Sequence, residues 1–288
     1  MKVGDFVKYV QDQNLSTVKA LVESGVDLNA SDGSGMTALR YAAIYAGTDM
    51  VQYLISSGAD IEAAQTYNGS TVLHLAASVG NYSNVKYLHE LDIDEIDIDA
   101  ENNEGETPLS LAARNRSTEV VKYLLGEGAS AEVIVEGNIL LVDMLLRENL
   151  EIASLLLFYG ADPNVRDKVN STTALMTAVA IGHLETVKQL LEGGADPESE
   201  DPFGGTALVT AASNDDLEMV LLLLKHRARA DHSNGIPLLP RELTKDKVIK
   251  AILGRWVVIP LITELVEIYL IHYSFLSSLC AKRRLFSF

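Results

Sequence analysis

The sequence has a single cysteine, Cys280, among its 288 residues. No disulfide can therefore form within the chain, which excludes the small secreted domains held together by disulfides and suits a reducing compartment. The first residues also lack the long apolar run of a secretory signal. Together these two absences predict a cytoplasmic protein.

The short motifs that carry most catalytic and metal chemistry are also missing. There is no glycine-rich phosphate loop, no His-Glu-x-x-His run and no pair of cysteines at zinc spacing. The six histidines are scattered along the chain, and Cys280 has no activating base nearby in sequence. We therefore predict a protein that is not an enzyme, with no cofactor and no metal site.

What the chain does contain is a phrase that recurs roughly every 33 residues. Each copy opens with threonine, and the copies at 37–43, 71–77, 107–113 and 206–212 end with Ala-Ala, whereas the copy at 173–179 ends with Ala-Val. A second phrase, Gly-Ala-Asp or Gly-Ala-Ser, keeps step with the first at 58–60, 128–130, 160–162 and 194–196. This period predicts a solenoid of stacked units, none of which buries its apolar face alone.

The two phrases together resemble the ankyrin repeat family, whose signature is Thr-Pro-Leu-His-x-Ala-Ala, a second helix and then Gly-Ala-Asp. The resemblance covers residues 1–232. It implies an all-α fold with short β-turn fingers, an ankyrin-repeat α-solenoid of about seven helix-turn-helix units plus C-terminal helices. The expected units are 1–30, 31–64, 65–100, 101–133, 134–166, 167–199 and 200–232, followed by a C-terminal capping region at 233–288.

Local chemistry places the helices within each unit. The threonine hydroxyl can accept a backbone N–H at the start of the first helix, and the glycine after the second helix fits a left-handed C-cap. Apolar residues at helical spacing, as in 121–125 and 187–191, should face the shared core. The small-residue pair should let neighbouring helices approach closely.

Two histidines occupy positions at which the resemblance implies structural hydrogen bonds, His74 and His183. Both are expected to belong to the framework rather than to a catalytic site. In other units the first of these positions is occupied by Arg40, Ser110, Met176 and Val209. We therefore do not expect a continuous ladder of hydrogen bonds between units.

Three units depart from the pattern. In the third, the extra residues 91–99 alternate isoleucine and acid, which predicts an extended finger with one apolar side; a calcium loop is the alternative. In the fifth, residues 137–146 replace the threonine phrase. Losing that cap typically costs about 1 kcal/mol, so this could be the weakest joint. In the seventh, Arg227 stands at the C-cap glycine position, which suggests that the array closes there.

The C-terminal region allows three interpretations. Residues 256–279 are apolar and long enough to cross a bilayer, and basic residues follow them, yet Glu264 and Glu267 lie inside. We expect a cap or partner-binding helix here, and a membrane-tethered adaptor is the alternative. Residues 241–253 are expected to form one charged helix. The stretch 239–253 is similar to the opening helix of F-box modules, which would imply a ubiquitin-ligase substrate adaptor.

Charge is unevenly distributed. Residues 1–240 carry a net charge of −21 and residues 241–288 a net charge of +4, which gives −17 for the whole chain. An acidic repeat body repels nucleic-acid phosphates and favours a basic partner. It equally keeps an elongated protein soluble. We expect an unidentified protein partner, basic in character, no nucleic acid, and a membrane only through 256–279.

The resemblance implies that a partner binds the concave face formed by finger tips and inner helices. The finger candidates are Tyr67, Asn68, Asn103, Glu104, Val169, Asn170 and Phe203. The helix-end candidates are Ile44, Tyr45, Ser78, Val79, Arg114, Asn115 and Asn214. Large apolar side chains at wet positions, above all Tyr45, Tyr67 and Phe203, are candidate hot spots, or else each packs on its neighbouring finger. The leading prediction is a non-catalytic protein-interaction module, a scaffold or adaptor.

Overall fold

The structure is a computed structural model that describes residues 3–63, 68–91, 96–135, 137–231 and 239–256. It divides into two compact units, Met1–Asp162 and Pro163–Phe288, which we name the N-terminal body and the C-terminal body. In each body, consecutive helices pair into hairpins, and the hairpins stack side by side. The predicted all-α solenoid architecture is confirmed.

Five hairpins make up the described part of the N-terminal body. The first helices of successive hairpins, α1, α3, α5, α7 and α9, pack one against the next in a row. The second helices α4, α6, α8 and α10 pack in the same way in another row. The elements are α1 (Val3–Gln11), α2 (Leu15–Glu23), α3 (Ala38–Tyr45), α4 (Thr48–Ser56), α5 (Val72–Ser78), α6 (Tyr82–His89), α7 (Pro108–Arg114), α8 (Thr118–Gly126), β1 (Ile134–Val135), β2 (Asn138–Ile139), α9 (Leu140–Leu146) and α10 (Leu150–Phe158).

Three hairpins make up the described part of the C-terminal body. Helix α13 packs between α11 and α15, and α14 packs between α12 and α16. The elements are α11 (Ala174–Ile181), α12 (Leu184–Glu192), α13 (Ala207–Ser213), α14 (Leu217–Lys225), α15 (Pro240–Leu243) and α16 (Lys247–Trp256). The stack therefore continues for one more helix pair beyond Arg227.

The helices begin where the repeated threonine predicts. At each of five first helices the threonine oxygen accepts the backbone N–H three residues later, which satisfies one of the free donors at the helix start. These caps are Thr37, Thr71, Thr107, Thr173 and Thr206. The small-residue pairs that follow are fully buried in three successive hairpins, at Ala42, Ala43, Ala76, Ala77, Ala112 and Ala113. Their size lets α3, α5 and α7 stack closely.

The fifth hairpin, which lacks the threonine, starts in a different way. Strands β1 and β2 pair antiparallel, with Gly137 between them at φ 90°. Ile139 provides no side-chain cap for α9. Instead the backbone N–H of Leu140 donates to the Val133 carbonyl at 2.7 Å. The short β-hairpin thus satisfies the first free backbone donor of α9, which is not the donor that the threonine oxygen accepts in the other hairpins.

Residues 241–253 do not form the single helix expected from the sequence. Helix α15 ends at Leu243, and Thr244 is extended, with φ −76° and ψ 141°. The cause lies 29 residues earlier: Asp215 Oδ1 accepts the Thr244 hydroxyl at 2.7 Å and the Lys245 N–H at 2.8 Å. Asp246 then caps α16 by accepting the Val248 N–H at 2.6 Å. This described segment therefore forms two short helices, α15 and α16, in place of the one helix expected.

Polar side chains also link the bases of successive fingers. A side-chain oxygen in one hairpin accepts a backbone N–H from the next, with donor–acceptor distances between 2.7 and 2.9 Å. The acceptor and donor pairs are Asn29 with Asp60, Asp99 with Ser130, Glu132 with Asp162, Asn164 with Asp196, and Glu198 with Arg229. These bonds fix the spacing of neighbouring fingers.

Candidate partner-binding surface

Four finger turns are each held by one aspartate or asparagine side chain. Its oxygen accepts backbone N–H groups two to four residues later, a local pattern that these short side chains favour. The residues are Asp32, Asn102, Asp167 and Asp201. The residues two positions later, Ser34, Glu104, Val169 and Phe203, are exposed.

The tips differ in chemistry along the chain. Val169 and Phe203 are apolar and each is 82% exposed, so neither packs on a neighbouring finger. Asn170, Asn103 and Glu104 are also exposed. Asn68 is half-buried, and its carbonyl accepts the Asn103 N–H at 2.8 Å, which joins two adjacent fingers. Tyr67 lies outside the described residues.

The ends of the inner helices present a second set of predicted residues. Tyr45 at the end of α3 is 52% exposed, and Val79 after α5 is 44% exposed. They occupy matching places in successive hairpins, eight residues after Thr37 and Thr71. Ile44 and Ser78, one residue earlier, are half-buried, and Asn115 and Asn214 at the matching places of later hairpins are exposed.

The ring of Tyr45 packs on the ring of a second tyrosine, Tyr41. The rings of Tyr41 and Tyr45 stack with centroids 6.2 Å apart, and the Tyr41 hydroxyl donates to Asp32 Oδ2 at 2.7 Å. That hydrogen bond, followed by burial, raises the pKa of Tyr41 to about 12. Burial acts to raise the pKa of Asp32, but hydrogen bonds from Ser34, Tyr41 and Met36 outweigh it and lower that pKa to about 2. Tyr45 is thus half-exposed on a fixed support.

Arg114 is not a freely projecting charge. Its Nη1 pairs with Glu106 Oε1, and the other oxygen of Glu106 accepts the Asn102 amide at 3.1 Å. Because Asn102 also holds its finger turn, Arg114 connects the end of α7 to that finger. This contact favours a positioning role for Arg114 over direct partner contact.

The comparison with known families decides what these hairpins are. The model of ankyrin repeats matches the chain in three copies, at residues 7–65, 62–135 and 141–234. The chain belongs to the ankyrin repeat family. The interval between the last two matched ranges contains Gly137 and β2, where the fifth ankyrin repeat lacks its threonine.

Relatives share this repeat region. The chain is 33% identical over 208 residues to a putative palmitoyltransferase ZDHHC13 of Danio rerio, and 30% identical over 243 residues to the palmitoyltransferase ZDHHC17 of Homo sapiens. It is 29% identical over 204 residues to the B-cell lymphoma 3 protein homolog of Mus musculus. These matches cover 71%, 84% and 70% of this chain but 32%, 38% and 44% of the relatives. The chain thus spans less than half the length of each.

His74 confirms the framework role expected of the ankyrin histidine. Its Nδ1 accepts the Thr71 N–H at 3.2 Å, so Nε2 carries the proton and donates to the Glu106 carbonyl at 2.9 Å. Glu106 belongs to the next hairpin, so this bond joins two ankyrin repeats. Burial lowers the pKa of His74, which keeps the ring neutral. His183 likewise accepts the Thr186 N–H and caps α12.

The ladder between repeats is interrupted, as the replacements predict. Arg40, at the histidine position of the second repeat, still reaches the next hairpin by donating to the Ser70 carbonyl. Ser110, at the same position of the fourth repeat, bonds to Thr107 within its own hairpin. The inter-repeat bond from this position is thus replaced by a local one where the side chain is short.

Sequence reasoning missed two exposed residues of the fifth repeat. Leu146, at the end of α9, is 52% exposed and occupies the place of Ile44 and Ser78 in other repeats. Ile134, on β1, is exposed to a similar degree. Because this repeat lacks the threonine phrase, its inner-helix end could not be aligned by motif. The apolar run 139–142 was the sequence feature that could have located this inner helix.

No group of three or more His, Cys, Asp or Glu side chains that could hold a metal occurs within the described ranges. Residues 92–95 of the acidic finger lie outside those ranges, so the calcium alternative for 91–99 falls largely there. Among the helices that the structure describes, none is both long and apolar enough to cross a membrane. The stretch 257–279, which bears on the anchor, lies outside the described residues.

Proposed function

We propose that this chain is a non-catalytic protein-binding module, a scaffold or adaptor, whose partner contacts the inner-helix ends and finger tips of the ankyrin array. The observation that carries the proposal is the exposure of apolar side chains at matching places of neighbouring hairpins within each body. These are Tyr45 and Val79 at the helix ends of the N-terminal body, and Val169 and Phe203 at the finger tips of the C-terminal body. Exposed aromatic and aliphatic side chains on rigid supports are typical anchors of protein interfaces.

The polar candidates complete this surface. Asn68, Asn103, Glu104 and Asn115 would form its polar rim in the N-terminal body, and Asn170 and Asn214 would do so in the C-terminal body. Ile44 and Ser78 would contact a partner at their exposed edges. Arg114 would act by holding its finger. The location we propose is the cytoplasm, in keeping with the single cysteine of the chain.

Capture of partners from a lysate tests this proposal. The full chain and a variant with alanine at Tyr45, Val79, Val169 and Phe203 are used as baits, and the retained proteins are compared by quantitative mass spectrometry. We expect the variant to lose the partners of the wild-type chain. The matched control is Phe158→Ala, because Phe158 is 81% exposed at the end of α10, outside the proposed surface. Identical retention by the wild-type chain and the quadruple variant would refute the proposal.

A membrane-tethered adaptor is the second candidate, supported by the apolar sequence of 256–279 and the basic residues after it. Helix α16 packs on α14, so a truncation should spare residues up to 256. Cell fractionation of the full chain beside a chain ending at 256 separates the candidates. Membrane recovery of the full chain alone would support tethering, and equal recovery of both in the soluble fraction would exclude it.

A further inference from the structure

Two neighbouring fingers of the C-terminal body carry apolar tips on turns of defined geometry. Asp167 accepts the N–H groups of Val169 and Asn170, both at 3.0 Å. Asp201 Oδ1 accepts the Phe203 N–H at 2.8 Å and the Gly205 N–H at 2.7 Å. The backbone at each tip is therefore restrained although the tip side chain is exposed to solvent.

One arginine ties these two fingers together. Arg166 Nη1 donates to the Ser171 carbonyl of its own finger and to the Glu200 carbonyl of the next, each at 2.8 Å. Helices α11 and α13, which carry the fingers, pack directly on each other. Packed helices lie roughly 8–10 Å apart, so the packing of α11 on α13 sets the spacing at which the two fingers begin. A fixed pair loses little conformational entropy when a partner binds.

Exposure distinguishes this pair from the rest of the surface. Val169 and Phe203 are each 82% exposed, a greater fraction than the helix-end residues Tyr45 and Val79. Holding two apolar side chains in water on restrained turns brings no folding stability, because neither is buried. An apolar partner surface would bury both at about 25 cal/mol per Å² of apolar area.

The charge around the pair indicates what flanks the apolar part of the partner. The segment that leads to Phe203 holds four acids in six residues, Asp196, Glu198, Glu200 and Asp201. Residues 163–231 contain 11 Asp/Glu and 6 Lys/Arg. Lys168 adds a positive charge beside Val169, so the acidic side of the pair is the Phe203 finger. Complementarity therefore favours basic residues at that end of a bound segment.

We propose that Val169 and Phe203 are a pair of anchors for a partner-protein segment with two apolar side chains and with lysine or arginine flanking the one that meets Phe203. This inference rests on the proposed function, since it presumes that the array binds protein. It goes further by naming the two fingers, the chemistry of the segment, and the finger that its basic residues face.

A random-peptide selection tests the inference directly. Phage-displayed random dodecapeptides are selected on the full chain, and the enriched peptides are synthesised and titrated by fluorescence polarisation. We expect peptides of net positive charge with two apolar residues. Phe203→Ser and Val169→Ser should each weaken their binding by about 10-fold or more, as hot-spot truncations do. The matched control is Phe158→Ser, which has the same residue type and exposure on another element and should change binding less than about twofold.

A charge variant provides the second readout. Asp196→Asn with Glu200→Gln keeps the side-chain shapes and should weaken binding several-fold at low salt but little at high salt, because salt screens exposed charges. Enriched peptides that are acidic or neutral, or none whose binding depends on Phe203, would overturn the inference. If the quadruple alanine variant loses its natural partners while the peptides ignore Phe203, the proposed function stands and this inference is wrong.

Discussion

The glycine position after each second helix allows a test of backbone strain. Gly194 and Arg227 occupy this position in successive repeats, with φ 95° and φ 71°. Left-handed backbone costs a non-glycine L-residue about 1–2 kcal/mol. Glycine at Arg227 would remove that strain, and the greater freedom of glycine in the unfolded chain offsets about 0.5–1 kcal/mol. We expect Arg227→Gly to raise the free energy of unfolding by about 0.5–1 kcal/mol, the difference between the two terms.

The reverse change at Gly194 isolates the conformational term. A Cβ built on Gly194 meets nothing within 4 Å, so alanine there introduces no steric clash. Its φ of 95° also lies farther from the left-handed region that L-residues tolerate than does the φ of Arg227. Gly194→Ala should therefore lower the free energy of unfolding by about 1 kcal/mol or more.

Urea unfolding followed by far-UV circular dichroism measures both variants against the wild-type chain. Arg227→Lys and Arg227→Ala are the controls: the first retains the charge, the second removes it, and both retain the Cβ. Among the described residues the Arg227 side chain has no hydrogen-bond or ion-pair partner, so neither control should be stabilising. A loss of stability in Arg227→Gly, or an equal gain in Arg227→Ala, would show that left-handed strain does not govern this position.

Three further predictions follow from buried or bridging polar groups. Asn84 is fully buried, and its amide donates to three carbonyls at the end of α3, the nearest at 2.9 Å. Asn84→Ala should therefore lower the free energy of unfolding, measured in urea, by about 2–3 kcal/mol. Asn115→Ala, on the exposed surface, is the control and should change it little. Burial lowers the pKa of His74, so only the unfolded chain takes up the proton as the pH falls through about 6.5, and the free energy of unfolding should decline there. The variant His74→Ser, which also loses the bond to Glu106, should show a flatter pH dependence. Urea titrations at several pH values measure both. Asp215→Ala should increase hydrogen exchange in α16 relative to α14, because the carboxylate that joins Thr244 to the preceding repeat is lost; unchanged exchange would exclude this joint.

The regular part of the fold could be predicted because its signals are local. The hydroxyl of Thr107 caps α7 with the N–H three residues later, and Ala112 and Ala113 are small wherever they pack. The structural role of His74 was predictable in the same way, because it follows from the position of this histidine in the repeated motif. A phrase that repeats in register therefore specifies hairpins, caps and core together.

The surface was only partly predictable because exposure depends on neighbours. Phe203 is 82% exposed, whereas Tyr45 is 52% exposed and stacks on Tyr41. The ion pair of Arg114 with Glu106 likewise depends on how the end of α7 meets its finger. Leu146 was overlooked because the fifth repeat lacks the motif that would have aligned it.

The amino-acid sequence by itself determined that this chain is a stack of helical hairpins, because the caps, the small pairs and the helical spacing all act within a few residues. Only the tertiary structure decided which apolar side chains are exposed and where the last helices break. Those outcomes depend on groups far apart in the chain, such as Arg166 with Glu200 and Asp215 with Thr244, which meet only when neighbouring hairpins pack.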